Sequence, residues 1–148
     1  MFNFLKKKAK HSSDDQIDLP EYSQEELESF KQELEALLHV KEAHMKEAAY
    51  FEKIGLLYAK LSQDEAAISH LEKSLSLKLS MGDGYKKLMS LYNRKRREAA
   101  KSQDDELIEY YMGKMDDMRN IAKKVTRTAK EEERCIKLEK KIQIMQTN

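Results

Sequence analysis

A four-residue pattern that returns after thirty-four residues constrains this chain more than anything else in it. Phe51, Ile54, Gly55 and Tyr58 are answered by Tyr85, Leu88, Met89 and Tyr92. Steps of three, one and three residues place each set on one face of a helix with about 3.6 residues per turn. A chain that repeats such a face at a fixed period stacks similar helical units, because one unit alone cannot bury its apolar side.

The first set is followed nine residues later by Ala67, then Leu71, with Ser74-Leu75 continuing the same face. A small residue at Ala67 lets two helix axes approach closely, while Phe51, Ile54, Tyr58 and Leu71 fill the space around the crossing. Together these residues resemble the tetratricopeptide (TPR) repeat, whose period is about 34 residues. The resemblance covers about residues 48–118. It implies an all-α fold, a short solenoid of antiparallel helix pairs with capping helices, that binds another protein. Leu79 stands where the family commonly carries the proline that ends its second helix. Met81-Gly82-Asp83-Gly84 is expected to stop the helix instead, since glycine accepts the left-handed conformation.

A second signal predicts an altered second unit. Ser62-Gln63-Asp64-Glu65 recurs forty residues on as Ser102-Gln103-Asp104-Asp105. Each reads as a capping box or a close relative, with a serine oxygen taking an orphan amide. At that offset Ala67 maps to Leu107, Ile68 to Ile108, Leu71 to Tyr111 and Leu75 to Met115. The first helix then repeats at 34 and the second at 40, so six residues are added within Asn93–Lys101.

Five helices are expected: from Ser23, over 44–61, over 63–80, over 84–101, and from Ser102 to about 145. Ser23 with Glu26 forms a capping box, and Leu27, Phe30, Leu34, Leu37 and Leu38 make the apolar stripe of a lid helix. Residues 1–21 read as a mobile tail, 22–130 as the helical domain, and 131–148 as an extended basic helix or tail. The chain is 40% hydrophobic and 37% charged with one proline, a profile of water-facing helices. Cys135 is the lone cysteine. It rules out an internal disulfide and fits a reducing, cytoplasmic location. No apolar run approaches the ~20 residues that span a bilayer. The opening Phe2–Lys8 runs hydrophobic to basic, the reverse of a secretory signal. Charge is polarised: Asp14 to Glu35 is acidic, whereas Lys86 to Lys101 is basic.

No catalytic constellation is visible, so neither an enzyme nor a cofactor is expected. His39 and His44 are five residues apart, on different sides of a helix, and no metal site is expected from the histidines. Gly82-Asp83-Gly84 is a turn, too short for a phosphate loop. Tyr58, Tyr85 and Tyr92 belong in the core. Tyr110, Tyr111 and Met112, with Met115 and Met118, fill core gaps or form a pliable face. The run Asn93 to Arg97 is open to three readings: a solvated helix end, a surface for an anionic protein, or a nucleic-acid contact.

The TPR resemblance implies that the first helix of each unit lines a groove. The matching positions are Ala49, Glu52, Leu56 and Lys60, then Lys86, Ser90, Asn93 and Arg94. Chaperone-binding members hold a peptide carboxylate with a Lys-x3-Asn pair; this chain has Glu52-x3-Leu56 and Lys86-x3-Ser90. Glu52, Leu56, Lys86, Ser90, Asn93 and Arg94 are therefore the candidate contacts for a protein partner with an acidic or amphipathic segment. The acidic stretch 14–35 is a competing occupant. The alternatives are a nucleic-acid-binding protein using residues 93–97 and a structural homo-oligomer built through the last helix.

Overall fold

The computed structural model describes residues 20–147, and over that span the protein is all-α. Of the expected tail at 1–21, residues 1–19 lie outside the described residues. Five helices follow in order: α1 (Gln24–His39), α2 (Ala48–Lys60), α3 (Asp64–Leu77), α4 (Asp83–Lys101) and α5 (Asp105–Gln146), with a short 3₁₀ turn at Lys41–His44. None of the described helices is long and apolar enough to cross a membrane.

Helix α1 starts where its sequence predicts. Ser23 Oγ accepts from the Glu26 amide, and the Glu26 carboxylate accepts from the Ser23 amide at 2.8 Å. Its buried face carries Leu34, with Phe30 and Leu37 beside it, and covers Tyr50, Phe51, Ile54 and Leu57 of α2. The Tyr50 hydroxyl donates to Leu37 O at 2.7 Å, so the ring is buried without losing its polar partner.

The core proper gathers Ala67, Leu71 and Leu75 of α3, Leu88, Leu91 and Tyr92 of α4, and Met118 of α5. Ile54, Leu71, Leu88 and Leu91 are almost wholly removed from solvent. Burial of each contributes about 1.5–3 kcal/mol. Ala67 has no exposed surface, as its place at a close crossing requires. Gly55 is the second small residue there: a Cβ on it would stand 2.6 Å from Leu71 Cγ and 3.1 Å from the Leu71 amide nitrogen. Ser74, buried beside them, donates to Ala48 O at 2.8 Å.

The serines at 62 and 102 are not the N-caps of α3 and α5, which are Gln63 and Asp104. Ser62 (φ 57°) and Gln103 (φ 58°) instead occupy the left-handed region that closes the preceding helix. The Ser62 amide donates to Ala59 O and the Gln63 amide to Tyr58 O; the Gln103 amide donates to Ala100 O and the Asp104 amide to Ala99 O. These are two Schellman closures. They repeat at 41 residues, not 40, so Ser102 matches Leu61 and donates its hydroxyl to Ala99 O. The side-chain cap of α5 is Asp104, which accepts from the Leu107 amide at 3.0 Å. Leu107, 44% exposed, does not take the place of Ala67; Ile108, Tyr111, Met115 and Met118 carry the inward face. By the 41-residue spacing seven residues are added, not six, and most of them lengthen a helix, since α4 has 19 residues where α2 has 13.

Helix α3 ends at Leu77, ahead of the expected glycine stop, and no described glycine has a positive φ. Gly82 is the N-cap residue of α4, and Gly84 lies in its first turn. What Gly84 supplies is room: a Cβ there would stand 2.8 Å from Glu52 Cγ.

Candidate interaction groove

The stepping of α4 decides which side chains share a hollow. Lys87, Ser90, Arg94 and Arg97 are spaced three, four and three residues apart, so they form one stripe. This stripe lines a cavity of about 320 Å³ closed by Ala59 and Lys60 of α2 and by Pro20 and Tyr22 ahead of α1. Four cationic side chains reach it, and among the described residues no carboxylate lines it.

The four cations differ in how far they are already satisfied. Arg94 forms an ion pair with Asp64, both side chains being largely buried. Arg94 Nε is also buried, with no hydrogen-bond partner among the described residues. Lys60 Nζ sits 4.6 Å from the centroid of the Phe30 ring, a cation–π contact that ties the lid helix to α2. Lys87 and Arg97 make no ion pair among the described residues. The cavity is therefore electropositive chiefly through Lys87, Arg97 and Lys60. Lys87 is half-buried, which lowers its local dielectric and strengthens its attraction for an anion, whereas Lys60 and Arg97 are exposed.

The rest of the basic run is largely engaged within the fold. Lys95 Nζ lies 2.7 Å from Glu65 and 3.5 Å from Glu98. The hydrogen bond to Glu65 chiefly raises the Lys95 pKa, against a smaller lowering by burial. Arg96 donates to Asn93 Oδ1 at 3.1 Å. Arg94 and Lys95 thus clamp Asp64 and Glu65, acids already favoured in the first turn of α3 by the helix dipole.

The residues selected from the sequence separate into three groups. Ser90, Asn93 and Arg94 line the cavity. Lys86 lies on the neighbouring face of α4, in a wider and shallower hollow with Tyr85, Met89 and Met115 that Ser90 and Asn93 also border. Glu52 and Leu56 do not line the cavity. The Glu52 carboxylate accepts the Gly84 amide at 2.8 Å and holds the positive end of α4. Leu56 packs half-buried against the core. Lys87, Arg97 and Tyr22 were not singled out by the repeat pattern. The helical stepping of Lys87, Ser90, Arg94 and Arg97 was the signal that could have found the first two; nothing local points to Tyr22.

Comparison with protein-family models, curated proteins and solved structures finds no match.

Proposed function

We propose that this protein is a non-enzymatic scaffold, a TPR-like stack of two helix pairs beneath a lid helix, that receives an acidic or amphipathic segment of a protein partner. The observation that carries the reading is the cavity along α4, where Lys60, Lys87 and Arg97 face a hollow that no carboxylate among the described residues lines. Charge there attracts the segment and raises its association rate, while apolar contact lengthens the life of the complex. The shallow hollow beside it supplies apolar surface from Tyr85, Met89 and Met115. Ser90 and Asn93 border both hollows, so a segment crossing α4 meets them in passing.

A protein partner is favoured over nucleic acid because the basic run is not a free strip. Arg94 is paired with Asp64, Lys95 with Glu65, and Arg96 with Asn93. A phosphate backbone needs a track of available cations, each contact adding to the salt dependence of binding.

A displayed library of acidic amphipathic peptides, selected on the full chain, tests the reading. Selected peptides should lose about tenfold or more in affinity on Lys87→Glu/Arg97→Glu, mostly through slower association at low salt. They should be indifferent to Lys123→Glu, on an exposed part of α5. Selection of no binder, or equal affinity for the double reversal, overturns the proposal. Retention of the chain on RNA with equal loss in Lys123→Glu would favour a diffuse nucleic-acid contact.

A further inference from the structure

The C-terminal half of α5 stands clear of the bundle. Every residue from Thr126 to Thr147 is exposed, and this length of helix reaches about 30 Å at ~1.5 Å per residue. A helix with nothing packed on it ordinarily presents polar groups all round. This one instead carries Cys135, Leu138, Ile142 and Met145 at steps of three, four and three residues. Leu138 is 60% exposed, Ile142 54% and Met145 71%. The stripe does not continue the seam that holds α5 to the bundle: at about 100° per residue, Leu138 lies about 160° round the helix from buried Met118.

We propose that this stripe is the seam of a parallel two-stranded coiled coil between two copies of the chain. Cys135 and Ile142 take the a positions and Leu138 and Met145 the d positions. A β-branched residue at a with leucine at d favours two parallel strands. The flanking charges choose the same partner and direction. Arg134 and Lys141 lie on the g edge, Glu139 and Gln146 on the e edge. In a parallel pair each g edge meets the other copy's e edge, so Arg134 reaches Glu139 of the second copy, twice by symmetry. An antiparallel pair would set Lys141 against Lys141 and Glu139 against Glu139. One edge of the stripe thus carries Arg134 and Lys141 and the other Glu139 with the neutral Gln146, complementary to itself in one direction. Such a split edge suits a uniformly anionic membrane poorly.

The seam is short, and Glu131, one heptad before Leu138 at a d position, ends it. Its area falls below the roughly 1,000 Å² of a stable interface, so association is weak and concentration-dependent. Parallel pairing puts both bundles at the same end of the dimer. Two grooves held close together raise the avidity for a partner with two docking segments, though the pairing does not depend on what the groove binds.

Sedimentation equilibrium of the full chain, reduced and over two decades of concentration, should show a reversible monomer–dimer equilibrium. Leu138→Glu should raise the dissociation constant by at least about tenfold without moving the thermal melt of the bundle. Arg134→Glu should weaken the dimer, and Arg134→Glu/Glu139→Arg should restore it. In a glutathione buffer the two Cys135 thiols should join, oxidised glutathione taking up their two electrons and two protons, and Leu138→Glu should abolish that link. Three results overturn the proposal: a monomer throughout, a dimer indifferent to Leu138→Glu, or preferential linkage of Cys135 to position 145 in a mixture with Cys135→Ser/Met145→Cys chains. If the chain stays monomeric but sediments with phosphatidylserine vesicles until Leu138 is changed, the stripe binds lipid and the coiled coil is refuted.

Discussion

A Cβ built at Gly55 would stand 2.6 Å from Leu71 Cγ, whereas one built at Gly113 would meet nothing within 4 Å. Both glycines lie inside helices, so alanine gains about 1 kcal/mol of helix propensity at either. At Gly113 that gain stands alone, and Gly113→Ala should stabilise the protein by about 1 kcal/mol. At Gly55 the new methyl presses on a leucine with almost no free surface and on its backbone nitrogen, 3.1 Å away. Overpacking of this kind costs about 1–3 kcal/mol and outweighs the propensity term. Gly55→Ala should therefore lower the melting temperature while Gly113→Ala raises it. Shifts of the same sign in the two melts would show that α2 and α3 do not approach as described.

The helices themselves were legible because their signals are local. The quartet Phe51, Ile54, Gly55, Tyr58 and its echo mark inward faces, and Ile54 and Leu88 are each 1% exposed. The capping box at Ser23 was equally plain. The two helix corners differ from their sequence expectation because the serine motif suits an N-cap, yet the same residues also close the helix before them. Glycine is the usual flag of that closure, and neither Ser62 nor Gln103 carries it. The site was legible only in part for a related reason: Glu52 finds Gly84 across 32 residues and Arg94 finds Asp64 across 30, which no helical spacing reveals. The corners offer their own check. A left-handed residue with a Cβ costs about 1–2 kcal/mol, partly offset by the greater unfolded-state freedom of glycine. Ser62→Gly and Gln103→Gly should each stabilise by about 0.5–1 kcal/mol in urea titrations. Ser102→Gly, one residue earlier in an αR conformation, should not stabilise.

At the scale of the whole molecule, the titrating groups with resolved shifts among the described residues all move in one direction. Tyr92, buried in the core, donates to Glu72, which Lys114 also reaches at 2.9 Å, so α3, α4 and α5 meet at one carboxylate. Burial first, and then the bond to Glu72, hold the Tyr92 hydroxyl far above its ordinary range. Burial also raises Tyr50 and Tyr111. Lys114 is raised by its hydrogen bond to Glu72, and Lys95 by its bond to Glu65. The folded state therefore keeps these protons at a pH where the unfolded chain has begun to lose them. Their contribution is complete below the unfolded values, near pH 10, and is lost as pH rises toward the folded ones. Urea unfolding should show little change from these groups between neutral pH and about 9, then a steep fall above about 10. Tyr92→Phe should lower stability at neutral pH by about 1 kcal/mol, through the lost hydrogen bond. It should also make the alkaline fall shallower, because one proton no longer links folding to pH. A Tyr92→Phe profile parallel to that of the parent from pH 9 to 12 would mean that the hydroxyl ionises as easily in the folded protein as in the unfolded chain, and that the meeting of three helices at Glu72 is not closed to water.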